Sequence, residues 1–262
     1  TLFLPLFDNL NENQIVKIAK DAGKAIMKIY NQDFAVEYKK DNSPLTIADQ
    51  KANEIIVTAL NQLPVNSFLQ QNIPILSEEG RNVPYDERKN WEYFWLIDPL
   101  DGTKEFVKKN GEFTVNIAFI KNKKPVFGII YAPILKKTYI GTIKNTYKVI
   151  NQKDFKKVLP KKKSNKTMII SRSHSSKNEN EKLKKKYKIK KILFLGSSLK
   201  FCYIAEGIAH IYPRNGTTYE WDTAAGHAII NGVGGKIETD KGTELKYGKK
   251  DFKNTNFIAK IF

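Results

Sequence analysis

The chain is 262 residues long with 41% hydrophobic and 11% aromatic residues, enough for a packed core in one large domain or two small ones, which excludes wholesale disorder. The single cysteine, Cys202, excludes an intrachain disulfide framework or a cysteine zinc cluster, and no apolar run approaches the roughly eighteen residues of a membrane span. A formal net charge of +18 raises nucleic acid or an anionic membrane as a partner, but only Arg81, Arg88, Arg172 and Arg214 of the 45 basic residues are arginines. Bidentate phosphate and base readout favours arginine. The lysine excess travels with Asn and Ile, as A/T-rich coding would produce, so solvated lysine faces are the simpler account. The expectation is a soluble protein of the reducing cytoplasm, with no integral membrane association and no nucleic-acid partner. The opening residues 1–7 are too short for a secretory h-region.

In chain order, the first helix is expected from about Asn11 to Tyr30, with Ile15, Ile18, Ala19, Ala22, Ile26 and Ile29 on one face. A second follows Pro44, with Thr46 as N-cap and a stripe of Ala48, Ala52, Ile55, Ile56, Ala59 and Leu63. Short buried strands are expected at Ile73–Leu76 and Tyr93–Ile97, the latter apolar throughout and therefore covered on both faces. From Glu112 to Ile150 the alternation is β-like, and the lysine-rich Lys153–Lys166 reads as a loop between two halves. Beyond it come a strand near Met168–Ser171, a charged helix near Asn178–Tyr187 and a strand at Ile192–Leu195. A helix over Ser198–Gly207, a strand at His210–Tyr212 and a helix over Thr223–Asn231 complete the series. This order implies a layered α+β protein of two halves, 1–155 and 156–262, forming one compact unit.

The strongest chemical signal is Trp95-Leu96-Ile97-Asp98-Pro99-Leu100-Asp101-Gly102-Thr103. A buried strand is expected to end at Asp98, with Pro99 forbidding its continuation and Gly102 permitting a tight turn. Asp98 and Asp101 can then converge, and two such carboxylates repel unless a cation lies between them. Oxygen ligands without nearby His or Cys favour magnesium over zinc. A plain Asp-Pro-x-Asp-Gly turn, its carboxylates bonding backbone amides, explains these residues equally well. Glu78 and Glu79 follow another short apolar strand, at a sheet's ligand-binding end. Asp49 and Asp222 each read alone as helix caps. Taken with Asp98 and Asp101, the set favours a metal site.

Asp98-Pro99-Leu100-Asp101-Gly102-Thr103-Lys104-Glu105-Phe106, upstream Ser77-Glu78-Glu79 and downstream Trp221-Asp222-Thr223-Ala224-Ala225-Gly226-His227 together resemble the inositol monophosphatase superfamily of magnesium-dependent, lithium-sensitive phosphomonoesterases. Asp41–Thr46, Asn110–Asn116, Ser171-Arg172-Ser173-His174 and Gly196–Cys202 narrow the resemblance to 3'(2'),5'-bisphosphate nucleotidases of the CysQ type. The resemblance implies an αβαβα sandwich and a place in sulfur metabolism. It implies two or three Mg2+ ions held by Glu78, Asp98, the Leu100 carbonyl, Asp101 and Asp222, with Glu79 behind Glu78. Thr103 and Asp49 match the pair that positions and activates a metal-bound water, and the amides of Gly102 and Thr103 suit a phosphate. On the substrate side it implies His174, Ser197, Lys200 and Arg214, although Lys200 also reads as one more solvated lysine. His210, His227 and Cys202 read as structural.

The implied activity is hydrolysis of the 3'-phosphate of 3'-phosphoadenosine 5'-phosphate to AMP and phosphate. The rival readings are an inositol monophosphatase or broad sugar phosphatase using the same metals, and, from another class, a lysine-rich nucleic-acid-binding module.

Overall fold

A computed structural model describes residues 12–39, 44–63, 72–150, 154–160, 166–172 and 177–261. Helix α1 (Glu12–Tyr30) buries Ile15, Ile18, Ala19, Ala22 and Ile26 along the expected stripe. A two-stranded antiparallel ribbon, β1 (Val36–Tyr38) and β2 (Pro44–Thr46), leads into α2 (Ile47–Asn61). Thr46 caps α2 as expected, its hydroxyl accepting the Ala48 N–H at 3.2 Å.

Next come β3 (Ile75–Ser77), a single turn α3 (Tyr85–Arg88), β4 (Tyr93–Asp101) and the short α4 (Thr103–Val107). The meander β5 (Thr114–Lys121), β6 (Lys124–Ala132), β7 (Lys137–Thr142), β8 (Thr146–Val149) and β9 (Phe155–Lys157) completes a seven-stranded sheet of sequential order, parallel only between β3 and β4. The stretch Lys153–Lys166 is therefore not simply a loop. Phe155–Lys157 pairs antiparallel with β8, and edge pairing of this kind needs no apolar alternation to betray it.

The second half contains β10 (Lys166–Ser171), α5 (Lys177–Lys186), β11 (Ile189–Leu195), α6 (Leu199–Ala205), β12 (Ile211–Arg214), α7 (Glu220–Gly232), β13 (Lys236–Thr239) and β14 (Phe257–Lys260). Its mixed sheet runs β11-β10-β12-β14-β13. β13 and β14 went unrecognised in the sequence because each is only four residues long, too short for a period to stand out.

The layers follow from alternation along β4. Trp95 and Ile97 face α1 and α2, while Phe94 and Leu96 face α6 and α7, so the strand is covered on both sides as its apolar run predicts. Across the middle helices lie Tyr212, Ile237, Phe257 and Ala259 of the second sheet. Met168, Ile170 and Ile189 on that sheet's far face pack with Leu183 and the neighbouring Tyr187 at the end of α5. The result is the expected α+β αβαβα sandwich. Helix α7 lies almost on the backbone of the large sheet: a Cβ on Gly128 would fall 2.6 Å from the Ala225 carbonyl oxygen, and one on Gly141 2.3 Å from the Ile229 nitrogen.

Candidate active site

Strand β4 pairs residue for residue with β5 as far as Asp98 opposite Asn116, and pairing resumes at Asp101 opposite Thr114. β4 thus places two residues, Pro99 and Leu100, where β5 places only Val115. That is a bulge. Residues three apart on a regular strand point to opposite faces; the extra residue cancels the inversion, and Asp98 and Asp101 both line one cavity of about 480 Å³. The expected strand end at Asp98 is corrected accordingly. Pro99 is tolerated because a bulge residue needs no ladder N–H. Asp98 Oδ1 accepts the Leu100 N–H at 3.1 Å, holding the bulge shut.

Glu78 stands one residue past β3, its N–H donating to the Ile97 carbonyl at 3.2 Å. Asp222 arrives on the first turn of α7, which begins at Glu220 rather than Thr223. Asp222 is thus the third residue of the helix, not its cap, and its Oδ2 accepts the Tyr219 N–H at 2.9 Å. Buried Glu220 sets the helix start by accepting the Gly248 and Lys249 N–H groups at 2.8 and 2.7 Å. Bulge, strand end and helix start bring one carboxylate oxygen each of Glu78, Asp98 and Asp222 within 4.8 Å of one another. Asp101 lies beside this trio in the same cavity, and Glu79 stands outside the trio.

Negative charge is crowded where these carboxylates meet. Burial, then Glu78, Asp101 and Asp222, push the Asp98 carboxyl well above its ordinary value. Burial, then Asp101 and Glu78, do the same for Asp222. Burial raises Asp101 to about 6 against the opposing pull of Lys200, the Ser198 N–H and Asn116. Glu79 rises to about 7, chiefly by burial. Lys39, hidden in the sequence among many lysines, places Nζ 2.7 Å from Glu78 Oε1 and 2.6 Å from Glu79 Oε1. Burial works against its charge, yet the two glutamates hold it above the ordinary lysine range. An all-oxygen donor set, with one carboxylate oxygen each of Glu78, Asp98 and Asp222 within 4.8 Å of one another and the neighbouring carboxylates pushing Asp98 and Asp222 upward, fits a hard divalent metal.

Asp49 is both cap and link. Its Oδ2 accepts the Thr46 N–H and hydroxyl at 2.8 and 2.7 Å, and its Oδ1 lies 3.1 Å from Thr103 Oγ1. Thr103 Oγ1 also lies 3.2 Å from the Leu100 carbonyl. Gly102, at φ +93°, makes the turn into α4 and lines the cavity with Thr103 and Leu100.

Ser197, Lys200 and Arg214 line the same cavity. Lys200 is no solvated lysine. It is 4% exposed, with Nζ on the Ser197 and Leu195 carbonyls at 2.5 and 3.3 Å, and burial lowers its pKa to about 8 despite Asp101. Arg214 is likewise buried and donates to the Thr217 carbonyl at 3.0 Å. His174 lies outside the described residues. His227 and Cys202 are packed in the core, and His210 Nδ1 accepts the Thr167 N–H at 3.0 Å. Sequence reading missed Glu105, Tyr212 and Lys253, which also line the cavity. Glu105 sits inside the diagnostic motif and was open to notice; Tyr212 and Lys253 carry no local signal.

The inositol monophosphatase family model matches residues 11–260. The chain is 45% identical over 267 residues to the 3'(2'),5'-bisphosphate nucleotidase CysQ of Buchnera aphidicola subsp. Acyrthosiphon pisum, covering 97% of each. It is 39% identical over 257 residues to the enzyme of the same name from Escherichia coli K12, covering 95% of this chain and 99% of that one. Among solved structures, CysQ from Bacteroides thetaiotaomicron, a bacterial member of the inositol monophosphatase family, superposes with a TM-score of 0.82 at 37% identity over 99% of this chain and 98% of that one.

Proposed function

The chain belongs to the inositol monophosphatase family, and we propose that it is a 3'(2'),5'-bisphosphate nucleotidase that removes the 3'-phosphate of 3'-phosphoadenosine 5'-phosphate, leaving AMP and phosphate. One observation carries the reading: a single cavity is lined both by an acidic trio, Glu78, Asp98 and Asp222, and by two buried cations, Lys200 and Arg214. A substrate bearing two phosphates suits that polarity, the scissile one toward the acidic side and the other on Lys200 and Arg214.

In this reading Glu78, Asp98, the Leu100 carbonyl, Asp101 and Asp222 hold two or three magnesium ions. When bound, these neutralise phosphate charge and acidify water. The chain's own groups do the rest. Thr103 Oγ1 donates to Asp49 Oδ1, which leaves its lone pairs to accept a proton from the attacking water; Asp49, its carboxyl raised by burial, is the final proton acceptor. The Gly102 and Thr103 amides orient the phosphate, and Ser197 and His174 approach the nucleoside. Phosphoryl transfer asks little more than such positioning and charge neutralisation. The halves 1–155 and 156–262 act as one unit, since Asp98 and Asp222 serve one site. No helix among the described residues is long and apolar enough to cross a membrane, and we place the enzyme in the cytoplasm.

The test is phosphate release from the bisphosphate nucleotide, inositol 1-phosphate and fructose 1,6-bisphosphate side by side. Turnover is expected to favour the nucleotide, vanish without magnesium and fall with lithium. Dominant inositol or sugar turnover would overturn the substrate assignment. Tight, steeply salt-dependent DNA or RNA binding that survives Asp98→Asn would favour the lysine-rich binding module instead.

A further inference from the structure

Ser198 occupies the N-cap position of α6, where serine ordinarily accepts a backbone N–H, yet its side chain makes no capping hydrogen bond. The hydroxyl is engaged elsewhere. Ser198 Oγ donates to Asn116 Oδ1 at 2.7 Å and lies 2.7 Å from Thr114 Oγ1. Asn116 Nδ2 lies 3.3 Å from Asp101 Oδ2, and the Ser198 N–H donates to the same oxygen. Thr114, Asn116 and Ser198 are each at most 2% exposed, so no solvent competes for these bonds.

The direction of donation is determined throughout. An ionised carboxylate only accepts, so the Asn116 amide must turn its NH2 toward Asp101 and its carbonyl toward Ser198. The Ser198 proton is thereby committed to Asn116, and the Thr114 hydroxyl is left to donate to Ser198. Among the described residues, every hydrogen bond to the Asp101 carboxylate ends on Oδ2, leaving Oδ1 for a cation.

We infer that Thr114, Ser198 and Asn116 are positioning residues that fix the rotation of the Asp101 carboxylate for metal binding. They also couple that ligand to the substrate side of the cavity, because Ser198 lies between Ser197 and Lys200. Thr114 and Asn116 stand on β5 of the first half, and Ser198 belongs to the second. The relay therefore crosses the cleft and registers the two halves at the metal. It rests on the reading of Asp101 as a cation ligand. Groups that orient a ligand from behind are worth roughly tenfold to a hundredfold in metal affinity.

Magnesium binding, measured by calorimetry on the whole protein without substrate, tests the relay. Asn116→Leu and Ser198→Ala are expected to weaken binding about tenfold. Ser198→Thr, which keeps the hydroxyl, should restore it to within about twofold, a rescue that a merely structural loss would not show. At saturating magnesium, the nucleotide KM should change far less than the magnesium requirement. Thr114→Val, nearly isosteric, removes only the first donor and keeps the test decisive should Asn116→Leu misfold; about a threefold weakening is expected. Folded Ser198→Ala and Thr114→Val proteins that bind magnesium like the wild type, while Asp101→Asn does not, would overturn the relay alone. Unchanged binding in Asp101→Asn would overturn the ligand assignment beneath it, and the relay with it.

Discussion

At the start of α2, Asp49 is the third helical residue and accepts the N–H of its N-cap, Thr46, through Oδ2; at the start of α7, Asp222 stands at the third position and accepts the N–H of its N-cap, Tyr219, through Oδ2. Locally the two are the same device. They diverge in what surrounds the other oxygen. Asp49 Oδ1 meets the Thr103 hydroxyl, and hydroxyl and amide donors oppose the upward push of burial on its pKa. Asp222 Oδ1 receives no hydrogen bond from the described residues, and Asp101 and Glu78 add to that push. One aspartate is satisfied by the protein and directs a hydroxyl. The other is left needing a cation. Identical capping geometry therefore says nothing about chemistry until the neighbours are known.

Asp222→Asn breaks the comparison most sharply. The amide keeps an acceptor for the Tyr219 N–H but loses the charge, and turnover is expected to fall on the order of a thousandfold, several kcal/mol of transition-state stabilisation. Without metal the same variant should melt higher than the wild type. The raised Asp222 carboxyl holds a proton in the folded state that the unfolded chain releases near 3.8. Its contribution is complete below that value and is lost as pH rises through the folded value. The melting-temperature gap should therefore be small at acid pH and widen toward neutrality; a gap that ignores pH would contradict the like-charge account.

His227, five residues along the same helix, provides the opposite sign. Burial lowers its pKa from 6.5 to about 4, so the folded protein excludes a proton that the unfolded chain takes up. Stability from this residue is complete above 6.5 and falls by about 3 kcal/mol as pH drops through that window. Comparing denaturation of the wild type and His227→Gln across it measures the difference, and parallel pH profiles would contradict the assignment.

Asp49→Asn and Thr103→Val sharpen the other side of the comparison. Each is expected to reduce kcat about a hundredfold while leaving magnesium affinity within a few-fold, because neither side chain belongs to the acidic trio. Calorimetry beside steady-state rates separates the two outcomes. The smallest effect belongs to the cap alone: Thr46→Ala should cost about 1 kcal/mol in chemical denaturation.

Much of this was legible in the sequence wherever a local period or a contiguous motif carried the information. The apolar stripe from Ile15 to Ile26 predicts α1, and the unbroken run Tyr93–Ile97 predicts a strand covered on both sides. Asp98-Pro99-Leu100-Asp101-Gly102-Thr103 marks the acidic corner. Lys39 was not legible, because one lysine among forty-one acquires its meaning only from what it is buried beside; Lys200 was reached only through the family resemblance, since by composition alone it reads as solvated. The bulge at Pro99 was misread as a strand end, since a proline reports a missing ladder N–H without saying whether the neighbouring strand resumes.

The sequence by itself determined the layered α+β class, the helices and strands with clear periods, and the identity of the carboxylates available to hold a cation. Only the tertiary structure decided which of them meet, that Asp222 reaches Glu78 and Asp98, and that Asp49 turns to Thr103 instead. Period and motif are properties of neighbouring residues and survive in one dimension. Convergence depends on one extra residue in β4, the glycine contacts that lay α7 on the sheet, and the anchoring of Glu220 by the 248–249 backbone, and distances of a few ångströms set by such packing have no local signature.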